Sequence, residues 1–364
     1  MKLAYTHDWL YKVAGAEEVL GAMLEVQPAP VYTLFYNKKT ANELKIKEIE
    51  TSFLNNVPGI EKVYKNFLPL YPYAVKSWEL EDYDVVVSSS HSVAKGFKKR
   101  EGQLHICYCH TPMRYIWDLY NDYLRSLSPL KRIPFAVTAH MLRRWDLETS
   151  KSVDKFIANS KFVAKRIRRI YGRDATVIYP PVNVESFEPE EEKSDYYIFI
   201  GRLFNAYKRV DIVVEAFNEL GKKLIVVGDG DDFETLKRMA KPNIEFTGWL
   251  SHGDICQVLK SAKALILPSV DDFGIVSVEA QACGTPVLAY FRGGATETVI
   301  PEKTGLFFFE QSKEAIIKAV INFENVRRNF NTGDLINNAN RFSKERFKRE
   351  FKSFLNREIE RKFN

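Results

Sequence analysis

The residues of this 364-residue chain that could do chemistry fall in a few short stretches. The densest is Asp271-Asp272-Phe273-Gly274-Ile275-Val276-Ser277-Val278-Glu279. An apolar run at 264–267 precedes it, so the pattern predicts a strand, a turn through Gly274, then a helix. The first turn of such a helix leaves N–H groups at Gly274, Ile275 and Val276 without helical partners, and that end of a helix favours an anion. Asp271 and Glu279 stand on either side of the turn, where two carboxylates can each accept hydrogen bonds from a pair of sugar hydroxyls. A capping Asp271 or Asp272 with a solvated Glu279 gives the same letters, so the residues alone leave both readings open.

Arg202 and Lys208 follow the apolar run 196–200, which predicts side chains beyond the carboxyl end of a strand. A departing diphosphate gains charge as its bond to a sugar breaks, and fixed cations stabilise that state more than the ground state. Arginine can clasp two phosphate oxygens, and lysine supplies a movable point charge. Two ordinary surface cations would read the same way. His110 closes the apolar run 104–109, with His7 and His91 as further candidates, while His105 inside the run is expected to be structural. Val13-Ala14-Gly15-Ala16-Glu17 joins the first run to a helical segment, and small residues there let backbone approach a phosphate or an acceptor closely. A tight strand-to-helix turn asks for the same residues.

Gly228-Asp229-Gly230-Asp231-Asp232-Phe233 starts like a dinucleotide fingerprint, but Phe233 takes the place of the third glycine, which argues against NAD. Its Asp229-x-Asp231 spacing resembles a metal motif. The expectation is a turn and helix cap, with Gly228 and Gly230 near a nucleotide and no catalytic metal.

Two sets of elements must position these residues. Short β-branched runs at 2–6, 31–34, 84–88, 104–109, 155–158 and 175–178 alternate with helix-length amphipathic segments, and a second set follows at 196–200, 224–227, 244–246, 264–267 and 287–289. This is the pattern of βαβ units around parallel sheets, an α/β chain of two doubly wound domains. Tyr179-Pro180-Pro181 and the acidic tract from Glu188 to Glu192 separate the sets, so a linker that repels itself and does not pack is expected at 183–192. The expected domains are 1–182 with 343–364, and 193–340. The last segment places Phe347, Phe351, Phe354, Leu355 and Ile359 on one helical face, a stripe that needs a core to cover.

Composition fits that reading. With 45% hydrophobic and 27% charged residues the disordered, collagen-like and coiled-coil classes fall away, and the length excludes one small binding module. The net charge of +6 is too modest to indicate a nucleic-acid binder. It is unevenly spread: from Arg143 to Arg173 there are ten basic residues and three acidic ones. On the helix expected after Ser160, Lys161, Lys165, Arg168 and Arg169 share the side opposite Val163, Ile167 and Ile170, so an anionic membrane surface is an expected partner. A solvated helix face is the ordinary alternative. Cys107, Cys109, Cys256 and Cys283 lack disulfide-framework or zinc spacing, which points to a reducing compartment. The first residues lack the apolar stretch of a secretion signal, and no run approaches the roughly 20 apolar residues of a membrane span. A cytoplasmic location, at the inner membrane face for a lipid-linked substrate, is expected.

The acidic-x₇-acidic stretch from Asp271 to Glu279 resembles the signature of the retaining glycosyltransferases of family four, which have the GT-B fold of two Rossmann-like domains facing across a cleft. Thr6-His7-Asp8-Trp9, Ala14-Gly15-Ala16-Glu17, Cys107-Tyr108-Cys109-His110-Thr111-Pro112, Phe156-Ile157-Ala158-Asn159-Ser160, Gly201-Arg202-Leu203, Lys208-Arg209-Val210-Asp211 and Gly293-Gly294-Ala295-Thr296-Glu297 agree with it in order, across residues 1–310. The likeness is greatest to bacterial and archaeal mannosyltransferases of O-antigen and exopolysaccharide assembly. It implies that Glu279 binds the nucleotide ribose, that Asp271 contacts the transferred sugar with Asp272 beside it, and that His110 orients that sugar. It also implies that Arg202 and Lys208, with the helix start at Gly274, Ile275 and Val276, carry the diphosphate, and that Ala14, Gly15 and Gly228 lie near the donor. The family usually has Glu where Asp271 stands and glycine where Ala14 stands. A crossover of the last helix onto the first domain is implied too. The expected reaction is transfer of a hexose from a nucleotide sugar, GDP-mannose, to a saccharide or lipid-linked acceptor, with no further cofactor. A UDP-sugar donor, a sugar-nucleotide epimerase and an inactive nucleotide-sugar-binding protein are the alternatives.

Overall fold

The computed structural model describes residues 1–190 and 192–364. The chain folds as two compact units, Met1–Pro181 with Glu345–Asn364, and Val182–Lys344. Glu191, within the expected linker, lies outside the described residues.

The first unit is built on seven strands, β1 (Leu3–His7), β2 (Val31–Thr33), β3 (Ile49–Thr51), β4 (Val85–Ser90), β5 (Leu104–Cys109), β6 (Lys155–Ala158) and β7 (Ala175–Val177). All pair in parallel, in the order β3-β2-β1-β4-β5-β6-β7. The second unit has six: β8 (Tyr197–Ile200), β9 (Leu224–Val227), β10 (Ile244–Gly248), β11 (Leu265–Leu267), β12 (Val287–Tyr290) and β13 (Gly305–Phe308). They too are parallel, in the order β10-β9-β8-β11-β12-β13. Strand order reverses beside β1 in one sheet and beside β8 in the other, and in such sheets ligands collect beyond the strands' carboxyl ends at that point. Two edge strands, β3 and β13, escape the sequence reading. β3 sits in a charged run with half-exposed residues, so it lacks the apolar signature of a buried strand.

The apolar stripe of the last helix, Lys344–Phe363, finds its core in the first unit. Phe347, Phe351, Phe354 and Leu355 are buried with Leu3, Tyr5, Val87, Leu104 and Tyr108 of the sheet. Burying each such side chain contributes roughly 1.5–3 kcal/mol. Arg346 fastens the start of the helix by donating to the carbonyls of Tyr179 and Pro180 at 2.8 and 3.1 Å.

The segment expected to be an unpacked linker is strapped to the second unit instead. Phe187 is buried, Glu190 accepts from Ser261 Oγ at 2.7 Å, and Lys193 Nζ donates to the carbonyls of Lys260 and Cys283 at 2.6 and 3.2 Å. The segment packs because Phe187 finds a core and Glu190 and Lys193 find partners on the domain surface, while Glu188 and Glu192 stay in solvent, where their charges are screened. No helix among the described residues is long and apolar enough to cross a membrane.

Candidate functional site

In the first unit, polar side chains converge where β1, β4 and β5 end. Asp8, just past β1, is fully buried and accepts four backbone N–H groups: those of His91 and Ser92 at 2.7 and 2.9 Å, and those of Val93 and Ala94 at 2.6 and 2.7 Å. One carboxylate thereby sets the loop that follows β4. His91 Nδ1 lies 3.0 Å from the same carboxylate. Ser89 Oγ then stands between two imidazoles, 3.0 Å from His7 Nδ1 and 2.8 Å from His110 Nε2. A hydroxyl has one proton to give, so it donates to one ring and accepts from the other. Burial first, then His91 and His7, holds the His110 pKa well below its usual 6.5, which leaves a neutral imidazole at pH 7. Asn159 fixes the backbone there, donating to the His110 carbonyl at 2.9 Å.

Ala14 and Gly15 lie beyond the same sheet edge. Ala14 is the extended residue before the helix Gly15–Val26, and its N–H donates to Glu17 Oε2 at 3.1 Å. The other Glu17 oxygen is 3.6 Å from His7 Nε2. Asp8, Glu17 and Ser89 were missed as site residues by the sequence reading. For Glu17 a signal existed, since an acid three residues after a helix-capping position is half of a capping box. His105 is structural as expected: its Nε2 meets Ser88 Oγ at 2.8 Å, and burial, reinforced by Lys99, lowers its pKa to about 3.

The second unit brings Lys208 and Asp271 together. Lys208 Nζ is 2.7 Å from Asp271 Oδ1, and Ser269 Oγ donates to the other oxygen at 3.0 Å. Local geometry explains how Lys208 gets there. It ends a one-turn helix, Asn205–Lys208, whose first N–H is taken by Asp232 Oδ2 at 2.7 Å and which stops at Arg209 in a left-handed conformation, φ +51°. Asp271 is held by its own backbone, which accepts from the Gly294 N–H at 2.8 Å. A Cβ at Gly293 would sit 2.5 Å from the Asp271 carbonyl oxygen, so glycine is required for this loop to press on that one.

Gly274, φ +83°, turns the chain into the helix Ile275–Ala282. Ser277 and Gln281 on that helix both bond Thr298, and Asn338 donates to Gln281 Oε1 at 2.6 Å, a buried polar network that holds the helix in place. Glu279 is half-buried on it, while Asp271 and Asp272 are buried before it. Ile275 and Val276 occupy its first turn, half-buried.

Arg202 is placed elsewhere. It is exposed, 3.3 Å from Asp231, with its guanidinium 5.8 Å over the Phe204 ring. The Gly228 and Gly230 stretch forms the expected turn, but its glycines serve backbone packing. A Cβ at Gly228 would fall 1.9 Å from the Gly201 oxygen, and one at Gly230 would fall 2.3 Å from the Leu203 oxygen. Its acids are engaged locally: Asp229 accepts from the Gly230 N–H, and Asp232 caps Asn205 rather than its own helix.

A family model described as Glycosyltransferase Family 4 matches residues 31–186, and one described as Glycosyl transferases group 1 matches residues 183–348. Among curated proteins, an uncharacterised glycosyltransferase of Methanocaldococcus jannaschii is 30% identical over 201 residues, covering 53% of this chain and 55% of the relative. A GDP-mannose-dependent monoacylated alpha-(1-6)-phosphatidylinositol monomannoside mannosyltransferase of Corynebacterium glutamicum is 32% identical over 186 residues, covering 42% and 48%. The chain thus spans about half the length of the curated relatives it matches. Among solved structures, Anabaena HepE in complex with UDP superposes with a TM-score of 0.73 at 19% identity over 98% of this chain and 100% of its own. The sucrose-phosphate synthase of Thermosynechococcus elongatus does so at 0.73 and 18%, over 99% of each. At those identities the likeness is one of fold, two Rossmann-like domains of the GT-B kind.

Proposed function

We propose that this chain is a GT-B glycosyltransferase of the family-four type, as the two family models support, and that it moves a mannosyl group from GDP-mannose to a saccharide or lipid-linked saccharide in cell-surface polysaccharide assembly, with retention at the anomeric carbon. The observation that carries the reading is that Lys208, at the end of the helix Asn205–Lys208, meets Asp271 just before the helix Ile275–Ala282. A cation, a carboxylate and a helix N-terminus suit a diphosphate joined to a sugar. The diphosphate takes Lys208 and the N–H groups at Gly274, Ile275 and Val276. Asp271, with Asp272 beside it, then accepts from sugar hydroxyls, and Glu279 accepts from the ribose. Arg202 leaves its solvated pair with Asp231 to add a second cation. His110, neutral, orients a sugar hydroxyl, and Ala14 and Gly15 allow close backbone approach in the acceptor-binding first unit. The departing phosphate oxygen takes the proton of the attacking hydroxyl, a front-face route.

The donor rests on the name of the Corynebacterium glutamicum relative. The HepE structures with UDP and with UDP-glucose favour a second reading, a uridine-sugar donor. Thermal unfolding against a panel of nucleotide sugars separates them, since a ligand that binds only the folded state raises stability with its affinity. A shift with GDP-mannose is expected, and a shift with uridine sugars alone would overturn the donor. We propose that no metal takes part, as the Asp229-x-Asp231 acids are held by local partners. Turnover should survive excess chelator, and loss restored by manganese would refute this. A cytoplasmic location with reversible contact to an anionic membrane completes the proposal. The helix Lys161–Tyr171 exposes Lys161, Lys165, Arg168 and Arg169, although Arg169 is paired with Asp118 and Arg166 is buried against the same acid.

A further inference from the structure

Four of the most exposed apolar side chains stand on one helix of the first unit, Pro129–Lys151: Leu130 is 91% exposed, Ile133 76%, Val137 57% and Met141 55%. Steps of three, four and four residues put them on one stripe, about 16 Å long at 1.5 Å per residue. The opposite side of the helix is already anchored. Ala139, Leu142, Asp146 and Ser150 are buried. The Asp146 carboxylate pairs with buried Lys95 and accepts from Trp117 Nε1 at 2.8 Å and from Tyr171 OH at 2.9 Å. With one side locked in this way, the apolar stripe faces away from its own core.

A second element extends the patch. Pro69, Pro72, Tyr73 and Lys76 face Met141 and Trp145 across a shallow groove of about 170 Å³, and Leu70 and Tyr73 are themselves exposed. Charge singles out the partner. Between Asp122 and Asp146 the sequence has no acidic residue, and it has Arg125, Lys131, Arg132, Arg143 and Arg144. Arg125, Lys131 and Arg144 are exposed and pair with no carboxylate among the described residues. A two-fold contact with a second copy would set these cations against their own equivalents, whereas anionic phosphates among apolar chains complement both features.

We propose that this face seats the first unit on an anionic lipid bilayer. The helix Pro129–Lys151 lies in the plane of the interface, Leu130, Ile133, Val137 and Met141 enter the acyl region, and Lys131 and Arg144 meet headgroup phosphates. This deepens the membrane contact proposed above by moving it from the helix Lys161–Tyr171 to a surface with an apolar component.

Sedimentation of the full chain with vesicles of phosphatidylcholine, with or without phosphatidylglycerol, tests it. Binding is expected only with the anionic lipid and should weaken with salt. Combined Ile133→Ser, Val137→Ser and Met141→Ser should cut partitioning about tenfold or more, as should Lys131→Glu with Arg144→Glu, with unchanged unfolding midpoints because these side chains are exposed. Lys161→Glu with Lys165→Glu, which lie off the apolar stripe, should weaken binding less than either of those sets. The proposal is overturned if the serine variant partitions like the wild type, or if binding does not depend on anionic lipid. It also falls if sedimentation velocity reveals a dimer that the serine variant dissolves. The assay contains neither donor nor acceptor, so its failure leaves the transfer reading standing.

Discussion

At the ends of β1, β4 and β5 the first unit gathers His7, Asp8, Ser89, His91 and His110, nearly all buried and held by one another or by backbone. At the ends of β8 and β11 the second unit gathers Lys208 and Asp271, a charged pair with a helix N-terminus beside it, and Arg202 in solvent. The same switch point of the same topology is filled once with imidazoles and a hydroxyl around a carboxylate engaged by backbone N–H groups, and once with a Lys–Asp pair beside a helix start. Imidazole and hydroxyl groups match the hydroxyls of a sugar, whose hydrogen bonds need direction but no counter-charge. A charged site matches a phosphate that leaves with more charge than it brought.

The sharpest way to break this comparison is to remove the charge from one site and the imidazole from the other. Lys208→Ala should lower kcat/KM about 10²- to 10³-fold, the usual loss when a group that stabilises transition-state charge is removed. His110→Gln keeps a hydrogen-bonding side chain and should cost about tenfold to 10²-fold. Turnover of the nucleotide sugar identified by thermal shift measures both. Equal losses, or a larger one at His110, would mean that the charged pair does not carry the leaving group.

Next in size is a stability difference. Asp8→Ala would leave four N–H groups of residues 91–94 without their acceptor in a buried loop, which should cost 3 kcal/mol or more on the order of known buried-polar losses. Urea unfolding followed by tryptophan fluorescence would show it. A loss below about 1 kcal/mol would mean that water replaces the carboxylate and that the loop is less rigid than its bonding implies.

What the sequence makes legible follows the same division. The turn through Gly274 is readable because an apolar run followed by glycine and helical residues marks a strand, a turn and a helix start, and the structure puts Lys208 and Asp271 together. Asp8 and Ser89 are not readable together, since their partners lie up to 86 residues away and only the pairing of β1 with β4 joins them. The buried strands stand out as apolar runs, but the edge strand β3 does not, because half-exposed residues carry no burial pattern. The acidic tract misleads for a related reason: charge repulsion is local in sequence, whereas Ser261, whose hydroxyl donates to Glu190, is far along the chain.

A smaller effect tests the state of the first unit's buried imidazoles. His105 has its pKa lowered to about 3, and His110 is held well below 6.5. Below pH 6.5 the unfolded chain binds protons at both positions while the folded chain does not, so stability falls as pH falls. Between pH 6.5 and 5.5 the two histidines should together cost about 2 kcal/mol. Glu324, lowered to about 2, does not contribute in that window, because carboxylates take up protons only at lower pH. His105→Gln should halve the dependence, and an unchanged slope would mean that His105 is protonated in the folded state.

The smallest expected effect concerns Arg202. Its partner Asp231 is 63% exposed and Arg202 is 45% exposed, at 3.3 Å. Such pairs contribute about 0–1 kcal/mol, so Asp231→Ala should leave the unfolding free energy within about 0.5 kcal/mol. Ligand binding should respond in the opposite sense. If Arg202 leaves Asp231 to meet a diphosphate, removing the competing carboxylate frees it in advance, and donor affinity should rise up to about fivefold, the equivalent of up to 1 kcal/mol. A fall in affinity would place Asp231 itself among the groups that hold the donor, and the charged site would then extend beyond the Lys208–Asp271 pair.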